Sequence, residues 1–354
     1  MTYDIAIVGA GIAGASLAAA LGDRARVLLL EAEDMPGRHA TGRSAAFWSE
    51  TYGGPLIQPL TSASRNGLSP WLQPLGSLHI GRTEDAPAIE RFLADFAGSA
   101  VTLERVDPAA HLAGLRPDWT LGVLEPSCAY IDVAGIHADA LARARRSGAT
   151  IVTDAGLRSA TRQGGRWTIE TEAGRFDAAV LVNAAGAWAD VVAVRSGVRP
   201  IGIAAFRRTM VQLRTDPPAA VGIPMIADIA GRFYFKPEPG GRVWLSPHDE
   251  VPSAPCDAVP EEIDVAVAID RFEAAVGWRV AAVERRWAGL RSFAPDRLPV
   301  YGMAEAGFFW CAGQGGFGIQ TAPAAAAMAA ALLLDEVPAL PGVDPGRYAP
   351  GRFG

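Results

Sequence analysis

The chain has 354 residues, half of them apolar and a fifth charged, with a formal net charge of −6; this is the profile of a soluble globular enzyme with room for two domains. No basic block is present, which argues against a nucleic-acid partner. The longest apolar stretch, residues 324–334, falls short of the ~20 residues that cross a bilayer, so no transmembrane segment is expected.

An apolar run from Ile5 to Val8 leads straight into Gly9, Gly11 and Gly14, then into an alanine- and leucine-rich helix over 15–21. This is the turn of a dinucleotide-binding βαβ unit. Gly9 permits the tight turn, Gly11 lets a pyrophosphate approach the backbone, and Gly14 lets helix and strand pack closely. Unpaired N–H groups and the dipole at the helix start favour an anion there. A second strand over 26–30 ends in Glu31, twenty-two residues beyond Gly9, placed to bond a ribose and to repel a 2′-phosphate. A strand this early leaves no room for a signal peptide, and Cys128, Cys256 and Cys311 lack metal or redox spacing. A reducing, cytoplasmic setting and no metal are therefore expected.

A polar, glycine-bearing connection follows over 34–46. From Ile151 the chain reads as a β-meander, with strands near 156–161, 166–172 and 176–182 split by turns at Gly164-Gly165 and Ala173-Gly174. The last of these carries a continuous apolar run over 178–182, as a buried parallel strand requires. It ends in Asn183-Ala-Ala-Gly-Ala-Trp188, whose small residues let backbone approach a ligand. Strand-like pieces over 209–213, 232–236 and 243–246 suggest an antiparallel sheet, and a helix is predicted over 263–276. Finally, a strand over 308–312 enters the Gly313–Gln320 loop and a helix over 321–334.

Gly313, Gly315 and Gly318 repeat the glycine spacing, but no second strand and ribose-binding acid follow. They are read as a helix N-terminus aimed at the other end of one shared cofactor. The meander, this C-terminal loop and the single fingerprint favour FAD over a nicotinamide cofactor, because a nicotinamide dehydrogenase more often continues βαβαβ after residue 31.

The stretches IVGAGIAGAS, TGRSAA with a following Tyr-Gly, VLVNAAGAW, WAGLRSF and GGFGIQT extend the match from the first strand to residue 321. On them the chain resembles the D-amino acid oxidase/glycine oxidase superfamily, and is most similar to bacterial FAD-dependent D-amino acid dehydrogenases of the D-arginine type. The resemblance implies an α/β fold: a discontinuous Rossmann-type FAD-binding domain (1–47, 134–200, 295–354) and a mixed β-sheet substrate domain (48–133, 201–294). It implies oxidation of a D-amino acid by hydride transfer from Cα to flavin N5, with protein groups supplying orientation. The imino acid then hydrolyses to a 2-oxo acid and ammonia. The electron acceptor is O2 or a quinone.

In this resemblance Arg291 clamps the substrate carboxylate, a task suited to a bidentate guanidinium. Arg208 is a second substrate-facing arginine, Tyr52 and Tyr234 offer hydroxyls, and Gly316 and Gln320 lie where flavin and substrate meet. The cofactor positions are Gly9, Gly11, Ile12, Ala13, Gly14, Glu31, Ala32, Thr41, Gly42, Arg43, Ser44, Ala45, Leu157, Ala184, Ala185, Gly186, Trp188, Gly289, Arg291, Gly315, Gly316, Phe317, Gly318, Ile319 and Gln320. Gly289 replaces a cysteine that tethers the flavin in some relatives, so FAD is expected to be non-covalent. Phe47, Trp48, Ser77, Met225, Ala227 and Phe317 form the expected pocket. D-arginine-preferring relatives carry a Glu where this chain has Ser77, which points to a neutral or aromatic side chain. The rival readings are a flavin enzyme for a secondary amine, a 2-hydroxy acid or a pathway-specific amine, and a non-catalytic flavin-binding subunit.

Overall fold

The computed structural model describes residues 2–220, 222–305 and 307–354. Strand Thr2–Val8 lies between two parallel neighbours, Val27–Leu30 and Gly174–Asn183, with Val8 level with Leu30 and Asn183. These strands are apolar because helices cover both faces of an α/β sheet. The meander strands Leu157–Gln163 and Arg166–Thr171 extend one edge, and Thr150–Val152 the other. Strand Phe308–Ala312 joins the far half of Gly174–Asn183 in parallel and pairs with Val300–Glu305, completing eight strands. Helices Ile12–Leu21, Val133–Arg146 and Gly318–Leu333 pack on one face through Leu17, Leu21, Leu141 and Met328.

Both glycine-led helices start three residues earlier than expected. Gly11 is the N-cap of the first and Phe317 that of the last. Thr321, the expected first residue of the last helix, lies inside it, and its hydroxyl donates to the carbonyl of the N-cap Phe317 at 2.8 Å.

The second sheet has ten strands. The longest pair, Ala204–Asp216 and Arg279–Phe293, is antiparallel over its whole length. The latter has no counterpart among the expected elements, since its arginines and glutamate obscure any alternation. Arg242–Ser246, Tyr234–Glu238 and Met225–Asp228 continue the sheet antiparallel. Met225–Asp228 then pairs in parallel with Ser77–Gly81, so the sheet is mixed rather than wholly antiparallel. Parallel pairing needs a long crossover, and residue 77 comes from far earlier in the chain. Helix Glu262–Ala275 covers the back of the sheet, with Phe272 packed against Phe235 and Trp278.

The two sheets are stitched together near the C-terminus, where Gln314–Gly315 pairs with Ser292–Phe293. Among the described residues no helix is long and apolar enough to cross a membrane.

The first helix packs tightly on the turn before it at Gly14, where a Cβ would overlap the Gly9 carbonyl oxygen. Gly14→Ala is expected to destabilise the protein by about 1–3 kcal/mol through overpacking. Urea unfolding of the purified variant checks this; an unchanged midpoint would count against the close approach.

Candidate active site

A cavity of about 510 Å³ runs between the two sheets. Its outer end is built from backbone. Gly9 has φ +104°, and a Cβ there would lie 2.5 Å from the Ala184 carbonyl oxygen. Only glycine suits both constraints. The Ile12 N–H donates to Thr41 Oγ1 at 3.0 Å, fixing the 37–45 connection over the helix start. Glu31 lines the cavity while accepting from Ala10 N–H at 3.0 Å and Glu33 N–H at 3.1 Å. His137 Nε2, 2.8 Å from the Ala10 carbonyl, braces the same turn from behind.

Ala32, Ser44, Ala45, Leu157, Ala184, Ala185, Gly186 and Trp188 complete the walls. A glycine cradle closed to side chains, a helix N-terminus and a ribose-facing acid fit FAD. Gly14 and Gly42 stand behind this surface: Gly14 makes the helix contact above, and Gly42 N–H donates to Gly37 O at 2.7 Å. Arg43 borders the cavity, but its guanidinium turns away to Asp257 and, at 2.8 Å, the Ala258 carbonyl. It clasps the two sheets together.

The inner end is built from side chains in register. Phe206 pairs with Arg291 and Arg208 with Gly289, so Arg208, Gly289 and Arg291 share the face turned to the cavity. Tyr234 joins them from the next strands, its hydroxyl 3.3 Å from Met210 Sδ, while Phe233 and Phe235 point into the core behind. Arg208 is 6% exposed. Its Nε donates to the Asp249 carbonyl at 2.7 Å, and its Nη1 is buried with no hydrogen-bond partner among the described residues. Burial, and then the nearby Arg297 charge, pull the Arg291 guanidinium down to about 9. This end is short of negative charge.

Gly315, Gly316, Gly318 and Ile319 bring the last helix to the cavity beside Arg291 and Tyr52. A Cβ on Gly316 would overlap Arg291 Nη2 and Tyr52 Oη. Gln320 lines the cavity, yet its amide is occupied: it accepts from Ser49 N–H (3.3 Å) and donates to Tyr52 O (3.0 Å) and Thr61 Oγ1 (2.9 Å). It positions the Tyr52 loop. Glu125, wholly buried, holds the same loop through Ser49 Oγ (2.8 Å), Thr51 Oγ1 (2.6 Å) and Glu50 N–H (2.7 Å). Burial acts to raise its pKa, but His79 and the two hydroxyls outweigh it and hold the carboxyl below its ordinary value.

The expected pocket is brought together only in part. Phe47 faces the cavity, its ring 5.1 Å from Tyr52 and 6.1 Å from Tyr234. Strand alternation turns Trp48 to the opposite side, where its Nε1 donates to the Thr61 carbonyl at 3.0 Å. Met225 packs behind Phe47 with Cys128, and Ser77 lies fully buried beside Met225 in the sheet. Ala227 pairs with Tyr234 in the sheet and so shares its face, but it does not line the cavity. Phe317 packs edge-on against Tyr52 and Phe293.

Unforeseen in sequence were Met210, His39 and Cys256 on the wall and the run His248-Asp249-Glu250 behind Arg208. None sits in a periodic or spaced pattern that could have marked it.

Gly316→Ala is expected to keep bound flavin but lose about 10²-fold or more in turnover, the scale of a misplacement near 1 Å; flavin content and kcat are measured on the same sample. His248 lies at about 4 instead of 6.5 because of burial first and the Arg208 charge second. The folded state thus keeps it neutral, whereas the unfolded chain takes up a proton below pH 6.5. Stability from this group is complete above that pH and lost as pH falls towards 4, roughly 3 kcal/mol in all. His248→Asn, which tolerates the left-handed backbone there (φ 56°), is expected to flatten the acid limb of a plot of urea midpoint against pH.

Among curated proteins, the chain is 30% identical over 364 residues to the tRNA 5-methylaminomethyl-2-thiouridine biosynthesis bifunctional protein MnmC of Maricaulis maris, covering 99% of this chain and 55% of that protein. The chain spans about half, or less, of the length of the curated relatives it matches. In fold it is similar to L-proline dehydrogenase from P. horikoshii (TM-score 0.88, 20% identity, 99% and 98% of the two chains). It is also similar to glycine oxidase from Geobacillus kaustophilus (TM-score 0.83, 22% identity, 96% of each). The family model described as DAO, FAD dependent oxidoreductase, matches residues 4–332. The chain therefore belongs to the DAO family of FAD-dependent oxidoreductases.

Proposed function

We propose that the protein oxidises a D-amino acid with a neutral, apolar side chain to the imino acid, which water converts to the 2-oxo acid and ammonia. The make-up of the cavity's inner end carries this reading. Two guanidiniums and the Tyr52 hydroxyl converge there, and among the described lining residues the carboxylates are Glu31, Glu33 and Glu172, all at the outer end. The inner end can bind an anion and offers no counter-ion to a cationic side chain.

In this reading residues 1–47, 134–200 and 295–354 hold FAD, and 48–133 and 201–294 hold the substrate. Bound FAD supplies the hydride acceptor at flavin N5. Arg291 and the free Nη1 of Arg208 bind the substrate carboxylate, fixing Cα in place. Phe47, Met210 and Tyr234 pack the side chain. The substrate amine gives its proton to solvent, and neutral His248, bonded to the Gly231 carbonyl at 2.7 Å, takes no part in that transfer. O2 or a quinone is the electron acceptor.

The name of the Maricaulis relative contains a methylaminomethyl group, a secondary amine, and this favours a second reading in which the substrate nitrogen is substituted.

The test is anaerobic bleaching of flavin by D- and L-amino acids, glycine, sarcosine, proline and 2-hydroxy acids. Apolar D-amino acids are expected to bleach it fastest. Faster bleaching by D-Arg or D-Lys would overturn the side-chain assignment, and by sarcosine or proline would favour the second reading. Arg291→Met is expected to lower kcat/KM by about 10²-fold or more, as loss of one partner of a buried charged pair does.

A further inference from the structure

Behind the two cavity arginines stands a carboxylate that the reaction does not require. Glu250 Oε1 lies 3.2 Å from Arg291 Nη1, 3.4 Å from Arg208 Nη2 and 2.8 Å from Arg297 Nη2, and its Oε2 lies 2.9 Å from Arg297. One oxygen thus bridges both guanidiniums from the side away from Gly316, while Arg297 holds the group from the rim. Arg297 is itself laid over the Phe293 ring at 3.9 Å. The neighbouring Asp249 carboxylate is taken up by Thr209, at 2.8 Å to N–H and 2.9 Å to Oγ1, and stands 3.8 Å from Arg208 Nε. Three guanidiniums therefore face two carboxylates, leaving one unit of positive charge, and Arg208 Nη1 is a buried donor with no partner among the described residues.

We propose that Glu250 is a specificity-determining residue: a built-in carboxylate that aligns Arg208 and Arg291 and cancels enough charge for the site to take one substrate carboxylate and reject a second. The proposal rests on reading these arginines as the carboxylate clamp. Its physical basis is that a charge moved from water into a buried site must be matched there, and an excess anion is as costly as an excess cation. A dicarboxylate would bring one negative charge too many. Without Glu250 the site would carry two units of positive charge and accommodate it.

Two small probes of different charge test this without turnover. Propionate and malonate, the latter at a pH where it is dianionic, are titrated into the oxidised holoenzyme, and Kd is read from the change in flavin absorbance. Wild type is expected to prefer propionate. Glu250→Gln is expected to move the propionate-to-malonate Kd ratio about tenfold or more towards malonate, the scale of one added charge in a partly buried site. Arg297→Asn, at a position with φ 65° that Asn tolerates, is expected to move it the other way and keeps the test open should the first variant misfold. A ratio within twofold of wild type in both variants would overturn the proposal. So would a Glu250→Gln protein that binds both probes equally more tightly, because Glu250 would then be a competitor for the clamp. If wild type responds to neither probe, the carboxylate clamp itself falls.

Discussion

Burying two arginines side by side on one sheet face is the constraint around which the inner cavity is organised. Register puts them there: Phe206 opposite Arg291 and Arg208 opposite Gly289 leave the guanidiniums diagonal to one another, with no side chain at Gly289 to separate them. A guanidinium taken out of water needs matching charge and hydrogen bonds or it destabilises the fold. The response is visible on every side. Asp249 offers its carbonyl, Glu250 bridges the pair, and His248 stays neutral, adding no further cation beside Arg208.

The opposite wall is held by a different logic. Tyr52 belongs to a short loop with little structure of its own, and its position is imposed by two buried groups from distant parts of the chain. Glu125 holds Ser49, Glu50 and Thr51; Gln320, from the last helix, holds Ser49 and the Tyr52 carbonyl. A fully bonded buried network of this kind fixes geometry because each member left unpaired would carry a desolvation cost. Since Gln320 rides on the helix that also carries Gly316 to Arg291, both walls are referenced to the same element. The pairing of Gly315 with Ser292 locks that element to the arginine sheet.

How legible these parts were in sequence follows from the range of the interactions that make them. Gly9, Gly11, Gly14 and Glu31 act through local backbone conformation and a single βαβ crossover, so their spacing alone exposed them. The apolar run over 178–182 and the 308–312 strand were legible for the same reason: double-sided burial leaves a continuous apolar run. Trp48 was misplaced because a two-residue strand carries no alternation to read, and its neighbour Phe47 took the cavity side. Ser77 was misplaced because a family resemblance gives position along a strand but not which strand shields it from the cavity. Glu250 and Glu125 were invisible because their partners come from distant parts of the chain that only the folded protein brings together.

The same difference in range separates what the two ends of the cavity can tolerate. At the outer end the glycine turn presents main chain to the cavity, and the lining acid Glu33 is paired with Arg38. At the inner end recognition rests on side chains whose backbones are fixed by a long antiparallel pair. An exchange at Phe47, Met210 or Tyr234 therefore alters shape or charge at the substrate end while leaving the glycine turn untouched. The two ends also balance charge differently: Glu33 is met by Arg38 at 3.5 Å, whereas Arg208 and Arg291 share the single Glu250 carboxylate with Arg297.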